Sequence, residues 1–259
     1  MEIPVYQVDA FSPRPFAGNP AAVCPLESWL PDATMQAIAA ENNLSETAFI
    51  VDEKGRLRIR WFTPGVEVDL CGHATLASAY VLFNELGYQG EEICFDSRSG
   101  ELRVRRQGEL LALDFPSRPP QAVMAPELLV SALGGSPLET WAARDYMVVY
   151  GSEAEVRELT PDLERLKQID RFAVIVTATG EHCDFVSRFF APAKGVPEDP
   201  VTGSAHCTLI PFWAKRIGKN SLHAFQVSAR GGELFCELKG DRVSIAGSAA
   251  LFLRGKISL

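Results

Sequence analysis

Cysteine is sparse and unpaired in this chain of 259 residues: the six, at positions 24, 71, 94, 183, 207 and 236, include no C-x-x-C pair. That spacing excludes a zinc knuckle and a redox dithiol, and free thiols imply a reducing, cytoplasmic setting. Basic runs are missing as well. The formal net charge is −8, and no stretch of Lys and Arg is long enough to follow a phosphate backbone, so nucleic acid is excluded as a partner. No apolar run approaches the roughly 18 residues of a membrane helix, so no membrane partner is expected, and Met1 to Val5 lacks the basic-then-apolar start of a secretory leader. There is no P-loop, no G-x-G-x-x-G after a strand and no G-x-S-x-G elbow, which removes the usual nucleotide and serine-hydrolase signatures. With only four histidines, His73 and His206 form no recognised ligand spacing with Asp199, so the expectation is neither a metal nor a cofactor.

What is present is the composition of an ordinary soluble globular protein, with 47% hydrophobic and 22% charged residues. Arg103, Arg105 and Arg106 form the densest basic group, but they alternate around Leu102 and Val104 and so belong on the wet face of a strand. Strands are expected at 5–10, 45–51, 57–62 and 146–150, and helices after Pro31 with an inner stripe of Met35, Ile38 and Ala39, at 72–86, and at 127–133. Ser152 with Glu155 reads as a capping box. Pro116, Pro119 and Pro120 mark a linker, which divides the chain into residues 1–117 and 118–259.

The second part repeats the first. Arg60-Trp61-Phe62-Thr63-Pro64 is answered by Arg188-Phe189-Phe190-Ala191-Pro192 at an offset of 128, and Gly72-His73-Ala74 by Gly203-Ser204-Ala205 at 131. Ser97-Arg98-Ser99-Gly100-Glu101-Leu102 is answered by Ala229-Arg230-Gly231-Gly232-Glu233-Leu234 at 132. Elements in the same order at nearly constant spacing predict an α+β fold of two pseudo-symmetric halves, each a curved, mostly antiparallel sheet around one central apolar helix. The expected site is the cleft between the halves, where the two helix starts at Gly72 and Gly203 offer free N–H groups to an anion such as a carboxylate. Pro211, eight residues after Gly203, predicts that the second central helix is kinked or shortened.

Four stretches carry a specific resemblance: Gly18-Asn19-Pro20-Ala21-Ala22-Val23, Ser45-Glu46-Thr47, Asp69-Leu70-Cys71-Gly72-His73-Ala74-Thr75 and Glu198-Asp199-Pro200-Val201-Thr202-Gly203-Ser204-Ala205-His206. Together they resemble the phenazine-biosynthesis PhzF-like family, of the diaminopimelate-epimerase-like fold, over essentially the whole chain. The resemblance implies a cofactor-independent isomerase moving a proton at carbon of a small carboxylate-bearing substrate, and a homodimer. By motif position it implies Glu46 as general acid/base, flanked by His73 and Asp199, with Ser45, Gly72, Gly203 and Ser204 binding the substrate. The residues alone leave open a non-catalytic binding protein that keeps the same pocket. Related racemases use two opposed thiols; here the repeat sets Thr202 against Cys71, which argues against that mechanism. The start of a helix disfavours imidazolium, so His73 is expected to be a hydrogen-bonding or relaying ring.

Overall fold

The computed structural model describes all 259 residues and contains no helix long and apolar enough to cross a membrane. It divides into two compact units, Met1–Asp114 together with Ala246–Leu259, and Phe115–Ile245.

In the first unit, β1 (Glu2–Ala10) and β2 (Asn19–Leu26) pair antiparallel. Then α1 (Asp32–Asn42), β3 (Glu46–Asp52), β4 (Leu57–Phe62) and the short β5 (Glu67–Val68) lead into α2 (Gly72–Asn84). β6 (Glu92–Ser97), β7 (Gly100–Gln107) and β8 (Leu110–Pro116) follow as antiparallel neighbours. Ten of the thirteen residues of α2 are buried, which marks a helix enclosed on nearly every side. α1 is amphipathic by contrast: its Met35, Ile38 and Ala39 pack on Cys24, Phe49 and Phe62 of the sheet. On β7, Leu102 and Val104 face the core while Arg103 and Arg105 lie exposed and pair with Glu92, as the alternation requires.

The second unit runs β9 (Gln121–Ala122), α3 (Glu127–Leu133), β10 (Glu139–Ala142), β11 (Tyr146–Val149), α4 (Glu153–Glu158), α5 (Leu163–Leu166), β12 (Val174–Thr179) and β13 (Phe185–Ala191). A 3₁₀ turn at Pro192–Lys194, β14 (Val196–Asp199), α6 (Gly203–Ile217), β15 (Ser221–Gln226), β16 (Gly232–Lys239) and β17 (Arg242–Gly247) complete it. α4 begins as expected, with the Ser152 hydroxyl accepting from the Glu155 N–H at 3.2 Å. α6 is the buried central helix. Its Trp213 stacks on Phe185 at 5.6 Å and donates its indole N–H to Thr177 at 3.0 Å, so a ring whose burial is worth about 2–3 kcal/mol leaves no orphan donor.

The repeat extends to pairing and side-chain chemistry. β2 and β3 are parallel, as are β11 and β12; β4 and β6 are parallel, as are β13 and β15. In the first unit Arg60 grips Glu67 with two contacts of 2.7 and 2.8 Å, and in the second Arg188 grips Glu198 with 2.7 and 3.0 Å. Each guanidinium also lies over the phenylalanine two residues on, Phe62 and Phe190. A serine hydroxyl then ties down the loop before each central helix, Ser99 to the Asp69 carbonyl and Ser228 to the Pro200 carbonyl. These forks and ties close the short hairpins from which α2 and α6 start.

Two expectations are corrected. Division of the chain at residue 117 into contiguous halves assigns the last strand to the wrong unit. β18 (Ala249–Ser258) belongs to the first unit, where it runs antiparallel to β1 from Glu2 opposite Ser258 to Ala10 opposite Ala249. Without it, β1 would present nine residues of unpaired edge. β9 plays the matching part in the second unit by pairing with β10. Pro211 does not shorten its helix either: α6 has 15 residues against 13 for α2. The missing Pro211 N–H leaves the Cys207 carbonyl without its helical donor, and the backbone N–H of Arg118 takes that carbonyl at 2.8 Å. Gly218 then ends α6 in the left-handed conformation, as its position predicts.

Candidate active site

The first unit brings four residues together. Glu46 opens β3, opposite Ala21 of β2, and His73 is the second residue of α2. Nε2 of His73 lies 3.1 Å from Oε2 of Glu46. The two atoms are close but off the line of a hydrogen bond, and both are buried with no aligned partner. Each such orphan costs about 1–3 kcal/mol.

The other ring nitrogen is crowded. Nδ2 of Asn19 stands 3.2 Å from Nδ1 of His73, and Sγ of Cys71 stands 3.5 Å from it. Asn19 is fully buried and accepts at its Oδ1 from the Ser45 hydroxyl at 3.1 Å, so one carboxamide links two of the expected site residues. Its place depends on Gly18, which turns at φ +69 and whose missing Cβ would lie 2.2 Å from the Ala10 carbonyl oxygen.

Burial opposes charge on His73; the Cys71 sulfur and the Glu46 carboxylate, one at each nitrogen, oppose burial and hold the ring above the usual histidine range. The thiol itself stays protonated, because burial and the charge of Glu46 push Cys71 up to about 11. At neutral pH Cys71 is therefore a neutral S–H beside Nδ1. Although Glu46, Cys71 and His73 place donor atoms within 4.8 Å of one another, the thiol addresses Nδ1 and the carboxylate Nε2.

Gly72 starts α2, with Cys71 as its N-cap residue; Gly203 starts α6, with Thr202 as its N-cap. This confirms Thr202 as the counterpart of Cys71. Its hydroxyl donates to Oδ2 of Asp199 at 2.6 Å. Gln226 completes the loop: its Oε1 accepts from the Thr202 N–H at 2.8 Å, and its Nε2 donates to the Asp199 carbonyl at 2.7 Å. Ser204 receives Arg144 at 3.3 Å, and Arg144 is itself held by three contacts to the buried Asp145. His206 is wholly buried and accounts for none of this. Its Nδ1–H donates to the Thr202 carbonyl at 2.9 Å, its Nε2 has no partner, and burial pulls its pKa down to about 4.

Strand pairing explains why only the first unit carries Glu46. The partner of Arg60 is Phe49 and the partner of Arg188 is Val176, so the residue matching Glu46, three before the partner, is Ala173. Asn19, Arg144 and Gln226 were not reached from the sequence. Asn19 had a signal in the Gly18-Asn19-Pro20 turn, whereas Arg144 and Gln226 acquire meaning only from partners 60 and 24 residues away.

Comparison with known proteins now adds to the geometry. The sequence model of the PhzC-PhzF family, described as phenazine biosynthesis-like protein, matches residues 8–255. A protein of Pseudomonas aeruginosa named an uncharacterized isomerase is 53% identical over 259 residues, covering 100% of both chains. A crystal structure of a phenazine biosynthesis protein of the PhzF family from Enterococcus faecalis superposes with a TM-score of 0.98 at 50% identity, covering 100% of both chains. A predicted epimerase from Pseudomonas aeruginosa shares the fold at a TM-score of 0.73 and 21% identity, over 98% of this chain and 99% of its own.

Proposed function

The chain belongs to the PhzC-PhzF family of phenazine biosynthesis-like proteins, and from that membership we propose that it is a cofactor-independent isomerase in which Glu46 moves a proton on carbon of a small carboxylate-bearing substrate. The observation that carries this reading is the pair Glu46 Oε2 and His73 Nε2, 3.1 Å apart, buried and without aligned partners. A carboxylate that takes a proton and later returns it needs a bound C–H within reach and a neighbouring donor for the charge that develops. His73 supplies the donor. Ser45 and Gly72 bind the substrate in the first unit; Asp199, Gly203 and Ser204, with Arg144 beside Ser204, orient a carboxylate in the second. A relative named an isomerase, identical at more than half of its positions, supports the reaction class.

The reaction needs no redox change. Glu46 takes the proton, the C–H electron pair stays on the substrate, and the proton returns from the Glu46 carboxyl to carbon. The test is a panel of small carboxylates incubated with the protein in D₂O and read by NMR for deuterium on carbon. Enzyme-dependent incorporation supports the isomerase; ligand shifts without incorporation identify the alternative, a binding protein with the same pocket.

A further inference from the structure

The environment of His73 is asymmetric in hydrogen-bonding sense, and that asymmetry determines which nitrogen holds the proton of the neutral ring. At Nδ1 stands an obligatory donor, the Nδ2–H of Asn19 at 3.2 Å, with the Cys71 thiol, able to donate to a bare nitrogen, at 3.5 Å. At Nε2 stands the carboxylate of Glu46, which only accepts. A ring with its lone pair on Nδ1 and its hydrogen on Nε2 matches all three neighbours. The opposite tautomer sets an N–H against the Asn19 amide N–H and a lone pair against a carboxylate. A charged ring keeps the same hydrogen on Nε2, so a donor faces Glu46 in either state of His73.

We propose that Asn19 is a positioning residue that fixes His73 as the Nε2–H tautomer, so that His73 acts as a hydrogen-bond donor to the substrate and leaves the base role to Glu46 alone. The inference rests on the isomerase reading and narrows its substrate. A base oxygen and an N–H nitrogen 3.1 Å apart suit the two ends of one C–C=O group, the carbon that loses a proton and, two bonds away, the oxygen that gains charge. Glu46 Oε2 takes the proton from carbon, the C–H electron pair moves to form an enolate, and the Nε2–H hydrogen-bonds the enolate oxygen without leaving nitrogen. The Glu46 carboxyl then returns the proton to a different carbon of the delocalised anion, which releases the isomer and restores the carboxylate. The substrate class is a carboxylate whose acidic C–H lies next to a carbonyl or carboxyl carbon. Ser45 holds the amide of Asn19 from behind, and so acts on His73 through it.

His206 supplies an internal control. Its Nδ1 faces the carbonyl of Thr202, which can only accept, so its neutral ring must carry the hydrogen on Nδ1. The protein therefore holds two buried histidines in opposite tautomers. The experiment is long-range ¹H–¹⁵N correlation NMR on the full-length ¹⁵N-labelled chain at alkaline pH, where the rings are neutral. With only four histidines, assignment requires only His73→Gln and His206→Gln. We expect an unprotonated Nδ1 and protonated Nε2 for His73 and the reverse for His206. In Asn19→Asp, where a carboxylate replaces the amide, Nδ1 of His73 gains a proton. A wild-type His73 protonated on Nδ1 overturns the proposal without needing any variant, and so does an Asn19→Asp ring that keeps Nδ1 bare. With a carboxylate that exchanges in D₂O, Asn19→Asp should slow turnover by roughly 10² to 10⁴ with much less change in KM; an unchanged turnover also overturns it. If no carboxylate exchanges, the isomerase reading fails while the tautomer result stands by itself.

Discussion

Arg60 holds Glu67 through two nearly parallel N–H···O contacts of 2.7 and 2.8 Å, both side chains mostly buried at 18% and 13% exposure. The fork closes the hairpin from which α2 starts, and so sets where His73 stands. Glu67→Gln should cost roughly 2–4 kcal/mol in denaturant unfolding, since it removes charge from one partner of a largely desolvated pair. Glu198→Gln should cost a similar amount, because Arg188 repeats the geometry. A loss below about 0.5 kcal/mol at both positions would show that the forks are incidental.

Gly18→Ala is expected to destabilise by more than a simple glycine substitution, about 2–4 kcal/mol, because the new Cβ meets the Ala10 carbonyl oxygen at 2.2 Å and the backbone is at φ +69. The displacement should reach Asn19 and with it His73. Thermal melting together with the His73 NMR signals checks both effects.

Acid lability should trace to His206. Its folded pKa of about 4 lies below the ordinary 6.5, so the unfolded chain takes up a proton between those values that the folded chain refuses. The contribution to stability is whole above pH 6.5 and declines as pH falls toward 4, by about 3 kcal/mol in total. In His206→Leu the fall in unfolding free energy over that window should be correspondingly shallower. An unchanged slope would show that other groups drive the loss.

Cys71→Ala should retain carbon exchange within about tenfold, because a thiol held near 11 is a poor base at neutral pH and its counterpart is Thr202. Loss of activity as large as that of a Glu46 variant would restore a thiol mechanism.

Much of this fold can be read in the chain before any coordinates, because the repeat is written in residues that recur for a physical reason. Arg60 and Arg188 are both needed to bind a glutamate and cover a phenylalanine, and Gly72 and Gly203 both open a buried helix. The exchange of edge strands could not be seen, because pairing β1 with β18 is a contact between the two ends of the chain and leaves no local pattern. That α6 is not shortened at Pro211 was hidden for a similar reason: the donor that takes the Cys207 carbonyl comes from Arg118, far away in sequence. In the site, Glu46 and His73 stand in family motifs that imply a role, while the contact of Asn19 with His73 is not legible because its partner lies 54 residues on. A buried amide has no periodicity to betray it.

Glu46 is the carboxylate that faces His73, and it has no counterpart in the second unit, where Ala173 takes its place. The decisive measurement is deuterium incorporation at carbon, in D₂O, by wild type and Glu46→Gln on the same small carboxylate, with ligand binding followed in parallel. The prediction is a loss of roughly 10² to 10⁴ in exchange rate with binding and melting temperature nearly unchanged. Exchange at the wild-type rate by folded Glu46→Gln would contradict it.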